Sequence, residues 1–402
     1  MSNDKVVTPE VSVLENPSRR GLLKASLAVG ASAAIVTSKT GQAQGAGNTP
    51  PSPFTRPWVN MLPFMVPKIP VQTLSPTPSG LPNTASGECG RDFHQRWSEF
   101  RPRRLYELRV KEAMHSFHPD LPAQRIWGYD GLVPGPMLHS RYGWPAVVRV
   151  HNDLPANAMG PGSPEIATHF HNAHTASESD GFAGNFYSAT NFGPTISSAG
   201  AYQDYHYASA YAGIDQYGGN GDPREGLGTC WYHDHRMDFT AAHGYRGMAG
   251  FHLMFDHIDS GNENDTSSTA LRLPSGAYDF PIMLADKHFD ATGKIFYDQF
   301  AGEGFVGDKV TANGKIQPYC NVARRKYRFR FLNAGPARIY DLVLRHQGAA
   351  QEFKFISNDG NLLPEPLDMN HVEISPAERA DIVIDFKKYP IGSQLFLVNR
   401  FL

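Results

Sequence analysis

From Arg104 onward the chain consists of short segments whose apolar residues recur at every second position, and no long segment repeats them every 3.6 residues. LYELRVKEA (105–113) carries Tyr106, Leu108 and Val110 two apart, and WPAVVRVHNDLP (144–155) is a β-branched run closed by an Asn-Asp turn. FPIMLADKHF (280–289), RKYRFRFLNA (325–334), FKFIS (353–357) and ADIVIDF (380–386) continue in the same manner. A period of two belongs to strands with one buried face, and 38 glycines and 31 prolines supply the turns between them. The expectation is an all-β protein, and 402 residues at 41% hydrophobic can bury more than one core.

The polar stretch IDSGNENDTSST (258–269) breaks the pattern, so residues 258–272 are expected to link a first domain at 81–257 to a second at 273–402. Residues 44–80 are rich in Pro, Ser and Thr and read as an extended, poorly ordered arm. In RRKYRFR, Tyr327, Phe329 and Phe331 alternate with Arg328 and Arg330, which predicts a buried aromatic face and a charged exposed one. A nucleic-acid patch is disfavoured, because 37 Lys+Arg against 39 Asp+Glu leave a net charge of −2 and no bulk pull toward polyanions.

At the N-terminus, Ser18-Arg19-Arg20-Gly21-Leu22-Leu23-Lys24 precedes a mild apolar run, Ala25 to Val36, and small residues around Gly41-Gln42-Ala43. This is the layout of a twin-arginine signal peptide over residues 1–43, and the run is too short and too weakly apolar to span a bilayer. The expected location is periplasmic or secreted. Three cysteines, Cys89, Cys230 and Cys320, permit one disulfide at most.

The chemistry-bearing feature is CWYHDHRM (230–237), which packs the ligand types of a blue-copper site into eight positions. On a strand, however, His233, His235 and Met237 share one face while Cys230 shares the other with Tyr232 and Asp234. They cannot converge on one ion without a break in the strand. The sequence has two His-x-His pairs, His169-Phe170-His171 and His233-Asp234-His235, and each presents two imidazoles to one side. With 17 histidines, chance supplies roughly 0.7 such pairs, so spacing alone decides little.

The surroundings of these pairs, THFHNAHTASESDGF (168–182) and GTCWYHDHRMDFTAAHGYRGMAGFHLMFD (228–256), are similar to the first domain of multicopper oxidases, in the bilirubin-oxidase and spore-coat-laccase branch. The likeness includes RIWGYDGLVPGP (125–136) and NDLP (152–155), and continues through LPSGAYDFPIMLADKHFD (273–290), ANGKIQPY (312–319), SNDGNLLP (357–364) and SPAERADIVIDF (375–386). The resemblance implies two cupredoxin-like Greek-key β-sandwich domains, with the family's third domain absent. It implies copper, with His169 as a type 2 ligand and His171, His233 and His235 as type 3 ligands of a trinuclear cluster. Asp180 matches an acidic residue that this branch keeps near the cluster for proton delivery, although an Asp-Gly turn explains it equally well. Trp231 and Tyr232 are expected to pack, and His174 and His243 to sit in loops or core. Asn172 departs from the glycine that relatives usually carry there, which puts the local turn in doubt.

No HPxHxH or HCHxxxHxxxxM motif occurs, so by comparison with the family the chain carries half of the cluster ligands and no type 1 site. The implied function is that of a laccase-like oxidase, oxidising phenolic, aromatic or metal-ion donors with dioxygen. It would be present in truncated or split form, inactive alone, with a separate chain possible as the source of the third domain. A two-domain oligomer that shares sites is disfavoured, because such proteins keep a type 1 site. Two other readings stand beside these: an exported cupredoxin-like scaffold of the cell envelope without oxidase activity, and a four-histidine zinc site.

Overall fold

A computed structural model describes residues 11–13, 50–80, 94–216, 221–301 and 304–401. The expected leader falls almost wholly outside these residues, as does Cys89; within it only Val11–Val13 is described, pairing with Tyr319–Cys320 and Leu395–Asn399. The described chain is all-β apart from short 3-10 turns and one seven-residue helix, Thr240–Arg246. Among the described residues no helix is long and apolar enough to cross a membrane.

Two four-stranded sheets face each other in the first half. One runs in the order Gln124–Tyr129, Arg104–His115, Ala146–Asn152, Tyr202–Tyr207, and the other Leu138–Arg141, Ala249–Phe255, Thr229–Asp234, Thr168–His171. The alternation read at 105–113 works as expected: Tyr106, Leu108 and Val110 are fully buried in one core with Tyr205 of their own sheet and Phe170 and Tyr232 of the facing one. In the second half, a long sheet centred on Asp279–Phe289, Lys326–Asn333 and Arg379–Asp385 packs on a smaller one built around Tyr340–His346 and Leu395–Asn399. Phe280, Ile282, Phe329, Phe331, Leu342, Leu344, Ile382 and Leu397 fill the space between them.

The strand Lys326–Asn333 departs from expectation. Its aromatic side is buried as read, but Arg328 and Arg330 are buried too, not solvated. The first sandwich lies over that face, and a guanidinium taken out of water must be paired. Arg328 meets Asp259 and Asp381 at 2.5 Å each, and Arg330 holds Asp279 with two bonds of 2.7 Å. Burial pulls the Arg328 pKa down, but the two carboxylates outweigh it and hold the group above its ordinary value. A strand with both faces covered therefore carries aromatics toward its own core and ion pairs toward the neighbouring sandwich.

The same network engages the polar stretch read as a linker. Asp259 is buried on Arg328, and Ala270 is 4% exposed, so this segment is packed as well as polar. Residues 50–80 are extended, as their prolines require, but they are not a loose arm. Leu62 enters the core of the second sandwich, and Met65 joins Met137, Trp231, Phe251, Met283 and Leu332 between the two. Composition reports the lack of regular structure here, while burial supplies the order.

Candidate metal centre

The two His-x-His pairs lie on adjacent antiparallel strands, Thr168–His171 and Thr229–Asp234, in the register Thr168 to Asp234, His169 to His233, Phe170 to Tyr232 and His171 to Trp231. Directly opposed residues share a face, so this register places His169, His171, Trp231 and His233 on one side and Phe170 and Tyr232 in the core. A slip of one residue would put the histidines of one pair into the sandwich. One nitrogen each from His169, His171 and His233 lie within 4.8 Å of one another.

Hydrogen bonds fix which nitrogens are available. His169 Nδ1–H donates to the Asp180 carbonyl at 2.5 Å, and His233 Nδ1–H donates to the Asp234 carbonyl at 2.8 Å, leaving each Nε2 lone pair free. His171 Nδ1 faces His233 Nε2 at 3.5 Å. Burial pushes the His171 pKa down to about 3, with Arg379 and the His169 and His235 rings adding to the effect. Burial likewise holds His169 and His233 below the ordinary histidine value. These imidazoles are therefore uncharged donors at neutral pH.

His235 follows the strand's last residue. Its ring centroid lies 5.3 Å from that of His169 and 5.5 Å from that of His233, outside the tight group of three. Its Nδ1 is buried with no hydrogen-bond partner. An orphaned buried nitrogen beside three uncharged imidazoles is the donor set a borderline cation such as copper or zinc takes.

The Asp180 side chain reaches His169 Nδ1 at 3.6 Å and accepts from Thr175 Oγ1 at 3.2 Å, with 41% of it exposed. The turn reading is also correct: Gly181 has φ +77°, and a Cβ there would lie 2.0 Å from the Thr168 carbonyl oxygen. Only glycine lets this turn approach the histidine strand closely enough for the Asp180 carbonyl to reach His169. Asn172 adopts φ +65°, so the left-handed turn after His171 is retained by one of the few other residues that tolerates it.

Trp231 packs, as expected, but on the histidine face, stacked on His233 at 4.3 Å and near His171 at 5.0 Å. Cys230 is buried on the opposite face, its thiol pushed up to about 11 by burial, and Met237 is 38% exposed beyond the strand end. His243 is in core as read, but in contact with Asp234, a partnership the sequence reading missed. The available signal was Asp234 itself: it sits between two outward histidines and must point inward, where a carboxylate needs a partner. Thr229, at the start of the same strand, bonds Arg330 through Oγ1 and Arg379 through its carbonyl.

Comparison with known proteins gives the family of the chain. Residues 110–222 match the multicopper oxidase family, Cu-oxidase_3. A laccase of Bacillus subtilis (strain 168) is 32% identical over 323 residues, 73% of this chain and 57% of the relative. The chain belongs to the multicopper oxidase family. A bilirubin oxidase of Albifimbria verrucaria is 34% identical over 289 residues, covering 71% of this chain and 43% of that one. This multicopper oxidase chain thus spans about half the length of the curated relatives it matches. Crystal structures of a Pediococcus acidilactici laccase (TM-score 0.60, 18% identity, 88% of this chain and 63% of that one) and of McoA from Aquifex aeolicus (0.56, 24%, 75% and 62%) share the fold. Membership implies copper as the cofactor.

Proposed function

We propose that His169, His171, His233 and His235 are half of the ligand set of a trinuclear copper cluster in a laccase-like oxidase. In that reading His169 serves the type 2 position and the other three serve type 3 positions. The observation that carries this is the register of the two histidine strands, which brings nitrogens from both pairs within 4.8 Å in a chain of this family. Bound copper supplies the one-electron chemistry that couples a phenolic, aromatic or metal-ion donor to the reduction of dioxygen to water. The protein's own groups orient and shield. The Asp180 and Asp234 carbonyls hold the Nδ1 protons of His169 and His233, keeping each Nε2 lone pair toward the centre. Trp231 covers the His233 ring against water, and the Asp180 carboxylate is the group beside His169 that can hand on a proton.

The remaining cluster ligands and a type 1 site come, in this proposal, from a third domain on the same or a separate polypeptide. In the same proposal, the twin-arginine pattern at residues 1–43 is an export signal and the working protein acts outside the cytoplasm. Copper titration of the 402-residue protein is the test, with oxygen uptake on a phenolic donor as a second readout. The expected result is copper uptake without turnover, and loss of uptake in the His233→Ala/His235→Ala variant. An unaltered copper stoichiometry in that variant would overturn the assignment, as would oxidase turnover by the chain alone for the missing half.

A further inference from the structure

Asp234 and His243 form a fully buried pair, both side chains at 0% exposure, with Asp234 Oδ1 accepting from His243 Nδ1 at 2.5 Å. The tautomer is set by the backbone. Ser163 N–H donates to His243 Nε2 at 3.0 Å, so that nitrogen is an acceptor and the ring proton sits on Nδ1. The Asp234 carboxylate is a hub. Its Oδ2 accepts from Ala167 N–H at 2.8 Å, two residues before His169, and Oδ1 also accepts from Arg236 N–H at 3.0 Å, just past His235. His235 N–H returns to the Ala167 carbonyl at 2.6 Å. Three segments are tied at one point: the approach to the first histidine pair, the second pair itself, and the helix Thr240–Arg246.

Packing around His243 is equally closed. Trp127 meets its ring edge-on at 5.4 Å, and a Cβ on Gly162 would lie 2.6 Å from it. We infer that His243, acting through Asp234, is a positioning residue that sets the spacing between the two histidine pairs and thereby their affinity for copper. His243 touches none of the four candidate ligands. The inference rests on the copper reading above, since it concerns how well those ligands are preorganised.

A ring of similar size without hydrogen-bonding nitrogens, His243→Phe, keeps the volume and removes the clamp. His243→Asn keeps an N–H donor for Asp234. Competition of the folded 402-residue variants against a chromophoric Cu(I) chelator reads the effect, with apo circular dichroism and melting recorded in parallel. Loss of ligand orientation of this kind weakens metal affinity about 10- to 100-fold, and that range is expected for His243→Phe, with His243→Asn within about threefold of wild type. If His243→Phe does not fold, Asp234→Asn takes its place, since an amide cannot accept from all three donors, and a loss of at least about tenfold is expected. Wild-type affinity in a folded His243→Phe or Asp234→Asn protein would overturn the positioning role. Equal loss in His243→Asn and His243→Phe would also overturn it, by showing that ring packing matters and the bond does not. No copper binding by the wild type would instead refute the metal reading.

Discussion

Thr229 offers a sharp test of the buried ionic seam between the two sandwiches. Its hydroxyl accepts from Arg330 Nη1 at 2.8 Å and donates to the Asp381 carboxylate at 2.8 Å, in a residue 0% exposed. Thr229→Val removes both bonds at nearly constant volume. Hydrogen bonds to charged groups are worth about 1.5–3 kcal/mol each. Arg330 retains Asp279, and Asp381 retains Arg328, so neither charge is abandoned. Allowing for that and for the more apolar side chain, the expected net loss is about 2–4 kcal/mol. Thr311 is the control: 2% exposed, its hydroxyl donates at 2.8 Å to the neutral Ala285 carbonyl, and Thr311→Val is expected to lose about 1 kcal/mol. Urea melts at constant m-value compare the two midpoints. If Thr229→Val is no more destabilising than Thr311→Val, the charged character of the seam contributes nothing and the reasoning fails.

Other outcomes follow from the same geometry. Gly181→Ala places a methyl group against the Thr168 carbonyl at positive φ, so thermal melting is expected to show a loss above about 2 kcal/mol and copper uptake to weaken. Burial raises the Asp259 pKa, but Arg328 and Arg330 outweigh it and hold the carboxyl below its ordinary value. The unfolded chain then takes up that proton first on acidification. Its stabilisation is complete above the ordinary carboxylate pKa and is lost as pH falls below about 4; Asp259→Asn flattens that acid limb in pH-dependent urea melts. Burial pushes Cys230 up to about 11 and Cys320 up to about 12, so neither reacts with a thiol reagent at pH 8 until the protein is unfolded. Rapid labelling of either residue in the native state would contradict the burial.

What could be read along the chain was whatever depends on neighbours in sequence. The alternation at Tyr106, Leu108 and Val110 predicted a buried strand face, and the structure buries all three. The opposed faces of Cys230 and His233 follow from a strand's two-residue period, which alone disposes of a compact blue-copper site. The histidine pairs, the Asp180-Gly181 turn and the family likeness are likewise local patterns. Arg328 and Arg330 were misjudged because period two tells only that two faces differ. It does not tell whether a second sandwich covers the polar one.

The tertiary structure decided the rest. The pairing of His169 with His233 and the burial of residues 50–80 through Leu62 and Met65 join residues far apart in the chain, and the clamp of His243 on Asp234 joins a short helix to the end of a strand. Such contacts depend on the mutual position of whole strands, which is set by long-range packing rather than by local propensity. The sequence by itself determined which residues could bind a metal and which way each must face. Only the register of two neighbouring strands brings nitrogens of His169, His171 and His233 within 4.8 Å of one another.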